Sequence, residues 1–290
     1  MYDPHKVVIF GVSGHAKVIV DIIESNNNFE LIGFIDKFNP SETIVLNYKV
    51  IGDESLLPKL MNEYNFNKGV VGIGDNFVRS KVVDFVKQIA PDFQFINCIH
   101  DSAKLSNHCE FGVGNVVMPG VSINASTIIS DHCILNTNSS LDHDCRMANF
   151  SSLAPNSAVG GNCSIGQFSY VGIGASIFHG VSIEENCIVG GGSLLNKDAI
   201  CDSTYYGIPA KRISERKLGD SYLWINRKYK LLSSANNKID LGYVLKNEST
   251  LSYIDAVHYS PSSNKKIAQE LYKFINLFKF NNPTKAGTIK

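Results

Sequence analysis

Residues 152–195 read SLAPNS AVGGNC SIGQFS YVGIGA SIFHGV SIEENC IVGGGS LL when broken every six residues, with an apolar side chain second and a compact one last in each full block. The apolar register runs further back, through Leu105, Phe111, Val117, Ile123, Ile129, Leu135, Leu141 and Met147, so sixteen positions from Leu105 to Leu195 keep the spacing without a break. Two residues before each stands only Ala, Cys, Asn, Val, Thr or Ser. A helix buries a face at a spacing near 3.6 and a strand at 2. A strict period of six therefore requires short straight segments joined by repeated corners, three hexads making one triangular coil. Coils stacked at the inter-strand spacing of about 4.8 Å place residue n over residue n+18. Leu105, Ile123, Leu141, Val159, Ile177 and Leu195 should then form one inward ladder, each buried side chain worth roughly 1.5–3 kcal/mol.

Composition bounds the rest. The 290 residues carry 27 basic and 27 acidic side chains and are 44% hydrophobic, which gives enough apolar material for substantial cores and no charge excess that would suggest nucleic acid. No apolar run approaches the length of a membrane span, and the start lacks a signal-peptide pattern, so a cytoplasmic location is expected. The seven cysteines include no CxxC pair, and five of them, Cys109, Cys133, Cys145, Cys163 and Cys187, fall in the small-residue register. They read as packing thiols; no metal site is expected.

Before the repeat the pattern changes. Residues 6–10 read as a buried strand, 11–15 as a Gly-rich turn, 16–24 as a helix and 31–35 as a second strand ending at Asp36. Helices over 54–61 and 76–89 and strands over 69–73 and 93–99 complete a βαβ alternation, hence a small parallel sheet whose carboxyl edge has nucleotide-binding geometry. The turn reads G-x-x-G-H, not the full dinucleotide fingerprint. It is either a plain strand-to-helix turn or a phosphate seat at the helix amino terminus, with Asp36 reaching a sugar hydroxyl. The expected domains are 1–98, a Rossmann-like α/β unit; 99–214, an all-β parallel β-helix; and 215–290, an α-rich extension.

Taken together, Gly11-x-Ser13-Gly14-His15, the segment Ile73-Gly74-Asp75-Asn76-x-x-Arg79, the hexapeptide repeat and the closing Gly207-Ile208-Pro209-Ala210-Lys211 resemble the sugar acyltransferases of the sialic-acid O-acetyltransferase and nucleotide-sugar N-acetyltransferase group. The resemblance spans residues 6 to about 214. It implies a left-handed β-helix, a homotrimer, a sugar-nucleotide site in the amino-terminal domain and acyl-CoA in a groove between two β-helices. It implies substrate contacts from Gly11, Ser13, Gly14, His15, Asp36, Lys37, Gly74, Asn76 and Arg79. For CoA it implies Gly161, Ile173, Gly190, Gly191, Pro209, Ala210 and Lys211.

Acyl transfer from a thioester needs a base, a donor for the developing oxyanion and alignment of both substrates. Leu141-Asp142-His143-Asp144-Cys145 carries a histidine at an outward position, where the family has its catalytic histidine followed by an acidic residue. Asp144 can pair with it only if the chain turns there, because adjacent strand side chains diverge. One coil beyond His143 lies Gly161, whose N–H is a candidate oxyanion donor, although Gly160-Gly161 is equally a tight corner. Asn136 matches a family asparagine near the catalytic histidine and reads either as a residue that orients the acceptor or as an exposed corner asparagine. Some family members have a second histidine nine residues after the first; here that position is Ser152. His100, His108, His132 and His179 read as structural or solvent-facing.

The expected activity is acetyl-CoA-dependent N-acetylation of a nucleotide-linked amino sugar. O-acetylation of a sialic-acid-like sugar is the alternative within the class. Outside the class stand a non-catalytic sugar-nucleotide scaffold and an esterase. The last rests on Asp255-x-x-His258, similar to the final block of SGNH-type esterases, and on Gly219-Asp220-Ser221, similar to the first. Only 34 residues separate Ser221 from Asp255, too few for such an enzyme's sheet, which favours a relic or a packing appendage.

Overall fold

The computed structural model describes residues 2–25 and 28–219, all within one compact unit. Of the extension expected over 215–290 only residues 215–219 are described, and they are not helical, Glu215 ending a strand; Ser221, Asp255 and His258 lie outside the described residues. The amino-terminal sheet has the order β3-β4-β2-β1-β5-β6, from β1 (Lys6–Phe10), β2 (Glu30–Ile35), β3 (Ile44–Val45), β4 (Tyr48–Gly52), β5 (Lys68–Val71) and β6 (Gln94–Phe95). It is parallel apart from the short antiparallel β3–β4 hairpin at one edge. Helices α1 (Gly14–Ser25), α2 (Leu57–Tyr64) and α3 (Asn76–Ile89) make the crossovers. Sequence reasoning gave one helix over 54–61 and one strand over 93–99. The first is a 3-10 turn, Glu54–Leu56, running into α2, and Pro58 sits in the first turn of α2, where its missing N–H costs nothing. The second breaks in two, and its latter half, Cys98–Ile99, pairs with Val116–Val117 as the first strand of the β-helix. The repeat thus begins one hexad earlier than the register read from sequence.

From there the chain winds through three stacked parallel sheets of two-residue strands, the left-handed β-helix expected. The n to n+18 pairing holds among the register residues up to Leu195, Ile123 opposing Leu105 and Leu141 and Val159 opposing Leu141 and Ile177; in the last coil it shortens to sixteen, Val189 opposing Tyr205. The inward residues form one continuous core from Val117 to Leu195 in which Cys133, Cys145, Cys163 and Cys187 pack as small apolar groups. Burial pushes the thiols of Cys133 and Cys187 up to about 11, so they stay protonated. The antiparallel pair Ser203–Gly207 and Ala210–Glu215 closes the far end.

The corners follow a register of their own. At every sixth residue from Gly114 to Gly192 the backbone has φ between 54° and 73°. That left-handed conformation is tolerated by Gly and, among others, by Asn and Asp, and these three fill positions 114, 120, 138, 144, 156, 162, 174, 180, 186 and 192. Phe150 and Phe168 are costly exceptions, of the order of 1–2 kcal/mol each. They have a use: with His132 they stack one per coil, with ring centroids 5.1 and 5.6 Å apart and planes within 12°. Phe95 meets the His132 ring edge-on at 4.8 Å, and Phe77 meets Phe168 at 6.3 Å.

That aromatic column is half of the joint between sheet and solenoid. Helix α1 supplies the other half, laying Ile19, Val20, Ile22 and Ile23 in one cluster with Cys98, Val116, Met118 and Ile134. The amino-terminal domain therefore covers the solenoid face that carries strands 98–99, 116–117, 134–135 and 152–153, together with one of that face's two corners.

Candidate active site

His143 lies at the corner between the other two faces, the vertex opposite the amino-terminal domain. The chain does turn at Asp144, whose φ is 58°, and the turn swings its carboxylate back so that His143 Nδ1 and Asp144 Oδ2 are 2.7 Å apart. Nδ1 then carries the proton and donates it to the carboxylate, which leaves Nε2 as the acceptor. On the other side Asp142 Oδ1 accepts the His143 backbone N–H at 2.8 Å and is itself held by Asn124 Nδ2 at 2.7 Å. Asn124 escaped sequence reasoning, although the n+18 rule places it directly beneath Asp142. The hydrogen bond to Asp144, with the charge of Asp142 second, raises the imidazole pKa above its ordinary value.

Gly161 is fitted to this imidazole. A Cβ built there would stand 2.7 Å from both His143 Cε1 and Nε2, so the ring occupies the space a side chain would need. Asn162 N–H donates to the His143 carbonyl at 2.9 Å and Gly180 N–H to the Gly161 carbonyl at 2.9 Å, which locks the stacked coils. Among the described residues the Gly161 N–H has no protein acceptor. Base, carboxylate and free backbone donor thus share one exposed corner.

Of the residues expected to line the cofactor, Gly161 stands against His143, while the others lie elsewhere on the chain. Ile173, Gly190 and Gly191 belong to the neighbouring corner, a full face away from His143, and so does Asn136, which was expected near the histidine to orient the acceptor. Asn136 Oδ1 accepts the N–H of Thr137 at 2.8 Å. Gly191 stacks over Ile173, a Cβ there standing 3.1 Å from the Ile173 carbonyl, and Gly190 lies flat against the Tyr206 ring, with no room for a side chain. Pro209 and Lys211 are exposed on the terminal hairpin, and Ala210 is partly buried.

In the amino-terminal domain Gly11 takes φ 92° to make the turn after β1, Ser13 Oγ donates to the Gly72 carbonyl at 2.8 Å, and His15 sits in the first turn of α1. Ser13, Gly14 and Gly74 are exposed at the carboxyl edge of the sheet. Asp36 is 8% exposed; one oxygen accepts Val12 N–H at 3.2 Å and the other accepts Phe38 N–H, Asn39 N–H and Asn39 Nδ2. Its main work is to tie two turns together, and at most one lone pair is left for a sugar.

Two expected substrate residues are something else. Arg79 is 1% exposed, and its guanidinium donates to the carbonyls of His132, Ile73, Gly74 and Phe150, to Asn76 Oδ1 and to Ser152 Oγ. Asn76 donates in turn to the carbonyls of Phe168 and Ser169 and accepts from Ser152 Oγ at 2.6 Å. Both are spent inside the joint, with no donor to spare for a ligand. Burial lowers the Arg79 pKa to about 10, and the carbonyls around it substitute for a counter-ion. Ser152, where a second histidine was considered, is part of the same joint.

Known proteins share this architecture. Residues 6–86 match the PglD N-terminal domain. A mutant of perosamine N-acetyltransferase from Caulobacter crescentus, solved with CoA and GDP-perosamine, is 33% identical, with a TM-score of 0.69 over 74% of this chain and 100% of that one. The acetyltransferase domain of PglB from Neisseria gonorrhoeae, solved with acetyl coenzyme A, is 28% identical with a TM-score of 0.67 over 73% and 100%. With an identity above 30% across the whole of the perosamine enzyme, and with sheet, solenoid and terminal hairpin all present, this chain belongs to the nucleotide-sugar acyltransferase family.

Proposed function

We propose that the chain transfers an acetyl group from acetyl-CoA to the amine of an amino sugar carried on a nucleoside diphosphate, and that it does so in the cytoplasm as a homotrimer. The observation that carries this reading is the corner of His143, Asp144 and Gly161: an oriented imidazole whose free Nε2 leans over a backbone N–H with no protein acceptor. His143 takes the proton of the attacking amine as the C–N bond forms. Asp144 holds the tautomer and steadies the imidazolium. The Gly161 N–H donates to the oxygen of the tetrahedral centre, and as the C–S bond breaks His143 returns the proton to the departing thiolate. The amino-terminal domain packs on the solenoid face opposite His143, so a sugar held at the Gly11–Gly14 turn would reach a base only on a neighbouring copy, which supports an oligomer; the trimer itself is what the family resemblance implies.

The test is free-thiol release from acetyl-CoA with a panel of nucleotide-linked amino sugars. The His143→Ala protein should lose roughly 10²–10⁴-fold in kcat while still binding CoA by calorimetry. Near-normal transfer by that variant sinks the mechanism. A wild-type protein that binds no acetyl-CoA sinks the function.

A further inference from the structure

Phe38 is 80% exposed, the most exposed large hydrophobic side chain among the described residues. Chains do leave single apolar residues in water, but this one is not on a loose loop. Its N–H donates to Asp36 Oδ1 at 2.8 Å, and Asn39 fastens to the same oxygen through both N–H and Nδ2, at 2.9 and 3.0 Å. The other oxygen of that carboxylate takes the Val12 N–H. A single buried anion therefore pins the Phe38 turn directly beside the Gly11–Gly14 turn that opens α1. Lys37 Nζ stands 4.9 Å from the ring centroid over one face, and with so little of the ring covered the opposite face is open.

A rigid, one-sided aromatic platform beside a sugar-nucleotide cleft suits one kind of group. We infer that Phe38 is the stacking surface for the nucleobase of the substrate, with Lys37 covering its back and Asp36 fixing its distance from the Gly11–Gly14 turn. This rests on the nucleotide-sugar reading of the cleft and adds to it the residue that holds the base. Stacking is tolerant of base identity because every base presents a π-face, so Phe38 supplies affinity and leaves the choice among bases to neighbouring polar groups.

The experiment uses the full chain and its Phe38→Ala and Phe38→Tyr variants, titrated by calorimetry with GDP, UDP and dTDP, and with inorganic pyrophosphate as the probe that lacks a base. Loss of one base–aromatic stack should weaken whichever nucleoside diphosphates bind by roughly 5- to 150-fold in Phe38→Ala. Phe38→Tyr should stay near wild type, and pyrophosphate binding should be the same in all three. In turnover, the sugar-nucleotide KM should rise in Phe38→Ala while kcat and the acetyl-CoA KM hold. The exposed ring supports no core, so equal melting temperatures are expected. If wild type binds the nucleotides and Phe38→Ala binds them equally well, the stacking role is overturned and the proposed function stands. If wild type binds none of them, the nucleotide-sugar reading falls and takes this inference with it.

Discussion

Replacing Gly161 with alanine tests the active-site geometry more sharply than removing the histidine. The φ of Gly161 lies outside the left-handed range, so alanine meets no backbone penalty there. Its Cβ would stand 2.7 Å from His143 Cε1 and Nε2, whereas ordinary contact begins at 3.4 Å. The imidazole must therefore retreat by about 0.7 Å or more, a movement available to an exposed side chain but not without bending its 2.7 Å bond to Asp144. Displacements near 1 Å at a reacting centre cost roughly 10²-fold in rate. Unfolding should hardly change, because the clash is with a side chain that can swing into solvent. Free-thiol release from acetyl-CoA and urea unfolding measured on the same preparation should show kcat down about 10²-fold and the unfolding midpoint unmoved. Gly161→Ala turning over like wild type would refute the claim that His143 needs the space Gly161 leaves. A loss of rate accompanied by an equal loss of stability would refute it as well.

Asp144→Asn keeps a residue that accepts the left-handed φ, so the corner should fold. It removes the first cause of the raised His143 pKa. Because the base must be neutral to act, activity is lost as pH falls through that pKa, and the acid limb of kcat/KM should move to lower pH in the variant, with the plateau reduced by roughly 10²-fold. A limb that stays in place would rule out the pairing as its cause. His132→Phe addresses the joint. Burial first, then the charges of Lys87 and Arg79, lower the His132 pKa to about 4, against the pull of Asp131, and neither ring nitrogen has a hydrogen-bond partner. A depressed folded-state value means stability that is whole above the ordinary 6.5 and drains away toward pH 4, about 3 kcal/mol in all. Phe150 and Phe168 show that phenylalanine fits this corner conformation, so His132→Phe should flatten the decline of urea midpoints between pH 6.5 and 4; a curve parallel to wild type would count against it.

The solenoid was legible because its cause is local and repeated: each hexad states its inward residue, and eighteen residues later the chain states it again. Leu141 could be placed between Ile123 and Val159 without coordinates, and the cysteines could be read as packing. The pairing of His143 with Asp144 was half legible. The condition that the chain turn at 144 was visible, but the signal that it does turn, the six-residue register of Gly, Asn and Asp that includes Asp144, went unread. Arg79 and Asn76 were misread for a different reason. Beside the nearby carbonyls of Ile73 and Gly74, their partners include carbonyls and a hydroxyl 53 to 93 residues away, and a motif shows residue types without showing whether a guanidinium faces a ligand or its own chain's backbone. The separation of His143 from the Gly11–Gly14 turn was likewise invisible, since it depends on which solenoid face the helix α1 covers.

The left-handed corners give the solenoid something like a reading frame. Inward side chain, small partner and corner residue each hold one phase of a six-letter word, and a single inserted residue would shift all three for every coil beyond it, turning apolar groups outward and asking valine or isoleucine to take φ near 60°. Changes of length in such a chain come in whole coils of eighteen, or as loops that leave at a corner and rejoin in phase. Between Leu105 and Leu195 this chain has neither kind of interruption, and the coil spacing that sets His143 against Gly161 is therefore protected by the arithmetic of the repeat itself.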